Sequence, residues 1–328
     1  MSGRRARRGS AYRGYLRGPR GSGAHARPIA ATLVLGLTAA LSACSTGQET
    51  PRIVVTTNIL GDVVRNVVGE SAEVTVLMKP NADPHSFGIS AKEAGQMESA
   101  DLIVSNGLGL EEGLNSNLDN ARSEGVEVLE VGEHVDPLDY RSGENSGQAD
   151  PHFWTDPQRM LTAVDAIEDT LAEQVESDIA AQVADSADTY RDQLRDLDAE
   201  IADMTAAIPS DRRRLVTNHH VFGYFADRFD FDVIGAVLPS GTTLASPSAA
   251  DLEELARTIE EAGVPTIFAD SSQPQKLAEA LSGEVDTDVE VVALYSESLT
   301  GADGDAATYI DMQKANAEAI AAGLAPES

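Results

Sequence analysis

The sequence predicts an α/β protein of two lobes, each a mainly parallel sheet flanked by helices, joined by one long rigid backbone helix. Three observations carry this. Strand-like runs alternate with helical patterns from residue 52 to 131, and the same rhythm returns after 210. Such alternation favours parallel strands covered by helices on both faces. Between the two blocks lies 178–208, which has no Gly or Pro and an unbroken helical period.

In order, RIVVTTN (52–58) is a β-branched run and reads as a buried strand. GDVVRNVVGE (61–70) follows with apolar pairs at helical spacing and Gly69 as its stop. AEVTVLM (72–78), ADLIVSNG (100–107) and GVEVLEV (125–131) read as strands, and SAKEAGQMESA (90–100) as helix. Apolar residues at 183, 187, 190, 194, 197, 201, 204 and 208 make one amphipathic helix of 178–208. A coiled-coil dimer is the alternative; a single helix lying across both lobes suits its central position better, so a monomer is expected. RRLVTN (213–218), FDVIGAV (231–237), VPTIFAD (264–270) and VEVVALY (289–295) are the strands of the second lobe. SPSAADLEELARTIEEAG (246–263) is a helix with a Ser248/Asp251 capping box and Gly263 at its end. The expected divisions are a leader over 1–43, a tether over 44–51, a first lobe over 52–177, the helix, and a second lobe over 209–328.

Charge is uneven along the chain. Eight of the 24 basic residues and no acid fall in 1–43, leaving 16 against 54 acids, a net charge of about −38 beyond the leader. Such a surface repels nucleic acid and concentrates cations. Aromatic residues are only 5%, which also argues against a base-stacking binder. The arginine-rich start leads into IAATLVLGLTAALSA (Ile29–Ala43), short for a membrane span and right for a signal-peptide core. It ends in LSAC, and Cys44 is the single cysteine, which excludes disulfides and thiolate metal sites within one chain. A cysteine behind small residues resembles a bacterial lipobox. That resemblance implies cleavage before Cys44 and a lipid anchor on its sulfur.

Of six histidines, His25 lies in the leader and His134 reads as a surface loop residue. His85 in DPHSF follows the second strand, His152 lies in DPHFWTDP, and His219 and His220 follow the first strand of the second lobe in VTNHHVFGYF. Ligands of open α/β sheets gather beyond the carboxyl ends of strands. At least three of these histidines could therefore meet at one cleft, although any one alone would pass for an ordinary loop residue.

The two DPH motifs, HHVFGYFADRF, VPTIFADSSQPQKLAEAL and LYSESLTG…GDAATYIDMQKANAEAI, in that order over nearly all of 52–325, resemble the metal-specific solute-binding proteins of bacterial ABC transporters, the cluster A-I group that captures zinc or manganese. The resemblance implies His85 and His152 as the first two ligands. His219, placed by the Phe222-Gly223-Tyr224-Phe225 run, is the implied third. The fourth is implied at Ser296-Glu297-Ser298, where the family carries aspartate and this chain offers Glu297 with one more methylene. His220 falls where the family often has Asp and reads as lying behind the site or on the surface. The implied function is extracytoplasmic capture of a divalent metal for an ABC permease and its ATPase, from a lipid-anchored position on the outer face of the cell membrane. Three imidazoles and one carboxylate suit zinc, which stands above manganese in affinity for such a set. The segment 136–149 lacks the histidine-rich loop of many zinc-specific members, which keeps manganese open. A closed set of four protein ligands disfavours catalysis, and neither HExxH nor GxSxG occurs. Some members of the family act as surface adhesins, and metal would then be structural.

Overall fold

The computed structural model describes residues 50–325 except 142, 144, 239, 245 and 274. The leader, Cys44 with its expected lipid, and most of the tether lie outside the described residues.

The first sheet comprises β1 (Arg52–Val55), β2 (Glu73–Val76), β3 (Leu102–Ser105) and β4 (Glu127–Glu130), in the order β2-β1-β3-β4. The second comprises β5 (Arg214–Thr217), β6 (Asp232–Ala236), β7 (Thr266–Asp270) and β8 (Glu290–Leu294), in the equivalent order β6-β5-β7-β8. Every paired strand of these two sheets is parallel.

Nine α-helices occur among the described residues. α1 (Asn58–Val68) is capped by Thr57, and Gly69, at φ 55°, ends it. α2 (Ala91–Glu98) and α7 (Ala249–Ala262) each begin with a full capping box, Ser90/Glu93 and Ser248/Asp251. α3 (Asn115–Ser123), α4 (Pro157–Gln174), α6 (Gly223–Phe229), α8 (Lys276–Glu284) and α9 (Tyr309–Gly323) complete the covers around α5 (Ser177–Ala206). No helix among the described residues is long and apolar enough to cross a membrane.

Strand side chains alternate between faces, and this alternation partitions the core. Ile53 and Val55 of β1, Leu102 and Val104 of β3, Leu215 of β5 and Phe268 of β7 join one cluster. That cluster also holds Val183, Ala187, Tyr190, Leu194, Leu197 and Ile201 of α5, and Tyr309, Met312 and Ile320 of α9. The opposite-facing Val54 and Ile103 pack with Met97 and Leu118, while Val216, Ile267 and Ala269 pack with Leu255 and Ile259. Thus the inner faces of both sheets share one apolar core along α5, a helix of about 45 Å at 1.5 Å per residue. Each sheet keeps a separate small core on its outer side.

Candidate metal centre

The carboxyl ends of the two sheets face a common buried site. His85 lies in the loop after β2, His152 in the irregular stretch between β4 and α4, His219 two residues after β5, and Glu297 three residues after β8. Their relative exposures are 2%, 0%, 0% and 1%. One ligand atom from each lies within 4.8 Å of all the others. Nε2 of His152 stands 3.4 Å from Nε2 of both His85 and His219. Glu297 Oε1 lies 3.0 Å from His219 Nε2 and 3.7 Å from His152 Nε2, and its Oε2 lies 3.8 Å from His85 Nε2. Four nitrogen or oxygen ligands placed tetrahedrally at ~2.0–2.1 Å from a cation would sit about 3.3–3.4 Å apart. The spacing of His152 Nε2 from the other two imidazole nitrogens matches this.

The two DPH motifs use one local device. In each, the Asp side chain accepts the backbone N–H of the histidine two residues on: His85 N to Asp83 Oδ1 at 2.9 Å, and His152 N to Asp150 Oδ1 at 3.0 Å. These are Asx turns, with the intervening proline holding its own φ. Asp150 does more, because its Oδ1 also lies 2.6 Å from His152 Nδ1. That contact turns the ring so that Nε2 carries the lone pair toward the centre, the common arrangement of a carboxylate behind a metal-binding imidazole. Tyr140 Oη is 3.3 Å from the same Nδ1 and donates to Gly241 O at 3.2 Å. Gly223 has no side chain because a Cβ there would come within 2.8 Å of Asp150 Oδ2.

The Glu297 loop is tied from several directions. Trp154 Nε1 donates to Ser296 O at 2.8 Å, Asn58 Nδ2 donates to Ser298 Oγ at 2.8 Å, and Ser296 Oγ donates to Asp270. Trp154 also sets its ring edge-on to His152, 5.1 Å between centroids, so it packs beside the site. His219 is held through its carbonyl, which accepts from Thr217 Oγ1 at 2.7 Å. His220 is half-buried just outside the cluster, and His134 is exposed on the surface. Sequence reasoning passed over Asp150 and Tyr140 as supports of His152. Asp150 was legible in principle, since its Asp-Pro-His setting repeats that of Asp83.

Burial dominates the electrostatics. It lowers the pKa of His85 to about 4, although the Glu297 charge opposes this, and it holds His152 and His219 below their ordinary value. Burial raises Glu297 well above the usual carboxylate value and Asp150 to about 7. The site is therefore three neutral imidazoles around a carboxyl that resists ionisation. His219 Nδ1 and both oxygens of Glu297 are buried without a hydrogen-bond partner. The 3.0 Å approach of His219 Nε2 to Oε1 lacks hydrogen-bond alignment. Buried polar atoms are normally paired, and a cation at the centre would satisfy both oxygens while restoring the charge that burial suppresses.

The sequence matches, over residues 53–323, the family described as zinc-uptake complex component A, periplasmic. It is 33% identical over 279 residues to the zinc-binding protein TroA of Treponema pallidum (strain Nichols), covering 84% of this chain and 89% of that protein. It is 28% identical over 296 residues to the manganese-binding lipoprotein MntA of Halalkalibacterium halodurans, covering 90% and 96%. The solved structure of the periplasmic zinc-binding protein TroA from Treponema pallidum superposes with a TM-score of 0.78 at 31% identity, covering 84% of this chain and all of that one. With the family match running through both sheets and all four clustered residues, the chain belongs to this family of metal-binding components of ABC-type metal uptake.

Proposed function

We propose that this protein captures Zn²⁺ with His85, His152, His219 and Glu297 and hands it to an ABC permease driven by an ATPase. It would do so from the outer face of the cell membrane, anchored through lipid on Cys44. The observation that carries the proposal is the convergence of three imidazoles and one carboxylate in a buried cluster, with His152 Nε2 3.4 Å from Nε2 of both other histidines. Zinc takes such a set readily, and four protein ligands leave no open position for an activated water. We read the protein as a carrier and not a hydrolase on that ground. The family and the zinc-binding relative support the same reading.

Manganese is the second reading, favoured by one feature. Both Glu297 oxygens face the imidazoles, Oε1 toward His219 and His152 and Oε2 toward His85. A carboxylate bound through both would raise the oxygen share, which suits manganese better. The manganese-binding relative is compatible with it.

The purified protein is expected to hold one equivalent of zinc by elemental analysis. Titration of the metal-free form with Zn²⁺ should change the emission of Trp154, the single tryptophan, which abuts His152. A carrier also releases its metal to excess chelator within minutes while staying folded, whereas a structural ion in an adhesin would take the fold with it. Absence of Zn²⁺ binding at neutral pH by isothermal titration would defeat the proposal. Preference for Mn²⁺ in direct competition would select the second reading.

The pH dependence has a definite sign. Metal displaces the proton of Glu297, which burial keeps on the carboxyl above the usual range. Acidification should therefore weaken binding through Glu297 first, by about tenfold per pH unit for one competing proton. Burial also lowers the imidazoles, His85 to about 4, so protons compete for them less than for free histidines. A fall that begins instead at the ordinary histidine value of 6.5 and runs with the cube of proton concentration would contradict this assignment.

A further inference from the structure

Asp83 has a carboxylate with two separate duties. Its Oδ1 accepts the His85 backbone N–H at 2.9 Å and so shapes the His85 loop. Its Oδ2 accepts Ser86 Oγ at 3.1 Å and two donors from the second half of the chain, Thr243 Oγ1 at 2.5 Å and Gln273 Nε2 at 3.0 Å. Thr243 lies in the loop after β6 and Gln273 in the loop after β7. The loop after β6 makes further polar contacts with the first half. Gly241 N donates to Asn145 Oδ1 at 3.1 Å, Gly241 O accepts from Tyr140 at 3.2 Å, and Thr242 Oγ1 donates to Glu112 Oε1 at 3.1 Å.

The two sides of the site are thus held together by different forces. Along α5 and α9 the halves share an apolar core. Separating it would expose apolar surface at ~25 cal/mol per Å². At the loops after β6 and β7 the contacts are hydrogen bonds, which exchange with water at modest net cost. Opening by the polar route is therefore the easier one, and the bonds to carboxylates are the strong ones of that set: Glu112 takes one donor across the cleft and Asp83 takes two.

We propose that Asp83 is a positioning residue for metal release. It sets His85 with one oxygen and, with the other, latches Thr243 and Gln273 so that dissociation waits on the opening of these bonds. The inference rests on the metal reading of the four-residue site. It predicts that the latch governs the dissociation rate, while the approach of metal to an already open site is little changed.

The test loads the purified protein with Zn²⁺ alone and follows release to excess chelator by stopped-flow Trp154 fluorescence. The pair Thr243→Val and Gln273→Leu removes the donors without touching the His85 loop. It should speed release roughly tenfold or more, as expected for losing charged hydrogen bonds, with the association rate within about threefold of the parent. Asp83→Ala should speed release at least as much, and adding the pair to Asp83→Ala should change nothing further, because the partners are already unlinked. Ser86→Ala, which removes only the local bond, should leave the rate unchanged. If the pair releases zinc at the parental rate, or if its effect multiplies with that of Asp83→Ala, the latch is overturned while the metal site stands. If the parent itself binds no zinc, the site reading falls and the latch with it. Should Asp83→Ala fail to fold, the Thr243/Gln273 pair still decides the matter.

Discussion

Replacing His152 with alanine is expected to weaken Zn²⁺ binding by about 100- to 1000-fold. The magnitude follows from apparent binding energies of about 10–16 kcal/mol for structural zinc shared among four ligands, so that one ligand carries roughly 2.5–4 kcal/mol. At 1.4 kcal/mol per decade this is two to three decades. His152 is the member of the set to remove because its Nε2 is 3.4 Å from both other imidazoles. Its ring is also the one held from behind by Asp150 and touched by Tyr140 and Trp154. Asp150→Asn is the milder companion and should cost about 10- to 100-fold, since it loosens the ring without deleting the ligand. Competition against a chromophoric chelator measures both. An affinity for His152→Ala within threefold of the parent would remove this residue from the site.

The Glu297→Gln variant is expected to do two opposite things. It should abolish tight metal binding, because Glu297 is the one group of the cluster that can give a metal an anionic ligand, and glutamine offers a single neutral oxygen. It should also stabilise the metal-free protein. Burial raises the Glu297 carboxyl above its ordinary 4.5, so above that pH the folded protein binds a proton that the unfolded chain has already lost. Stability then falls as pH rises, by about 1.4 kcal/mol per unit, until the raised value is passed. Glutamine has no such proton to hold. The gain of the variant should therefore be near zero at pH 4.5 and grow toward neutral pH. Thermal melting of metal-free parent and variant from pH 4.5 to 7.5 reads this directly. Equal melting temperatures at neutral pH would show that the carboxyl is not under this strain. The same experiment with Zn²⁺ should reverse the order, since metal stabilises only the parent by mass action.

Much of this molecule is written in short-range patterns. The β-branched runs at 52–58 and 213–218 became β1 and β5, and the uninterrupted helical period of 178–208 became α5, Ser177–Ala206. The Ser248/Asp251 box capped α7 as expected. Residues that satisfy their own neighbours can be read from neighbours. The candidate ligands were legible for a different reason: His85, His152, His219 and Glu297 all sit just beyond apolar strand runs or in a repeated Asp-Pro-His phrase, in an order that resembles one family.

What sequence alone left undecided depended on groups far apart in the chain. Nothing local says that Phe268 and Val55 share a core, or that α5 and α9 seal both sheets on one side, because a period of two shows that a strand has an inner face without showing what lies against it. Nothing local says that Thr243 and Gln273 reach back 160 and 190 residues to Asp83. The order in which the site titrates was likewise decided by tertiary packing. Histidine and glutamate would lose their protons in the usual order in water, and burial works against that order, lowering the imidazoles and raising Glu297. Sequence determined which side chains could hold a metal; burial around them decided in what charge state they wait for it.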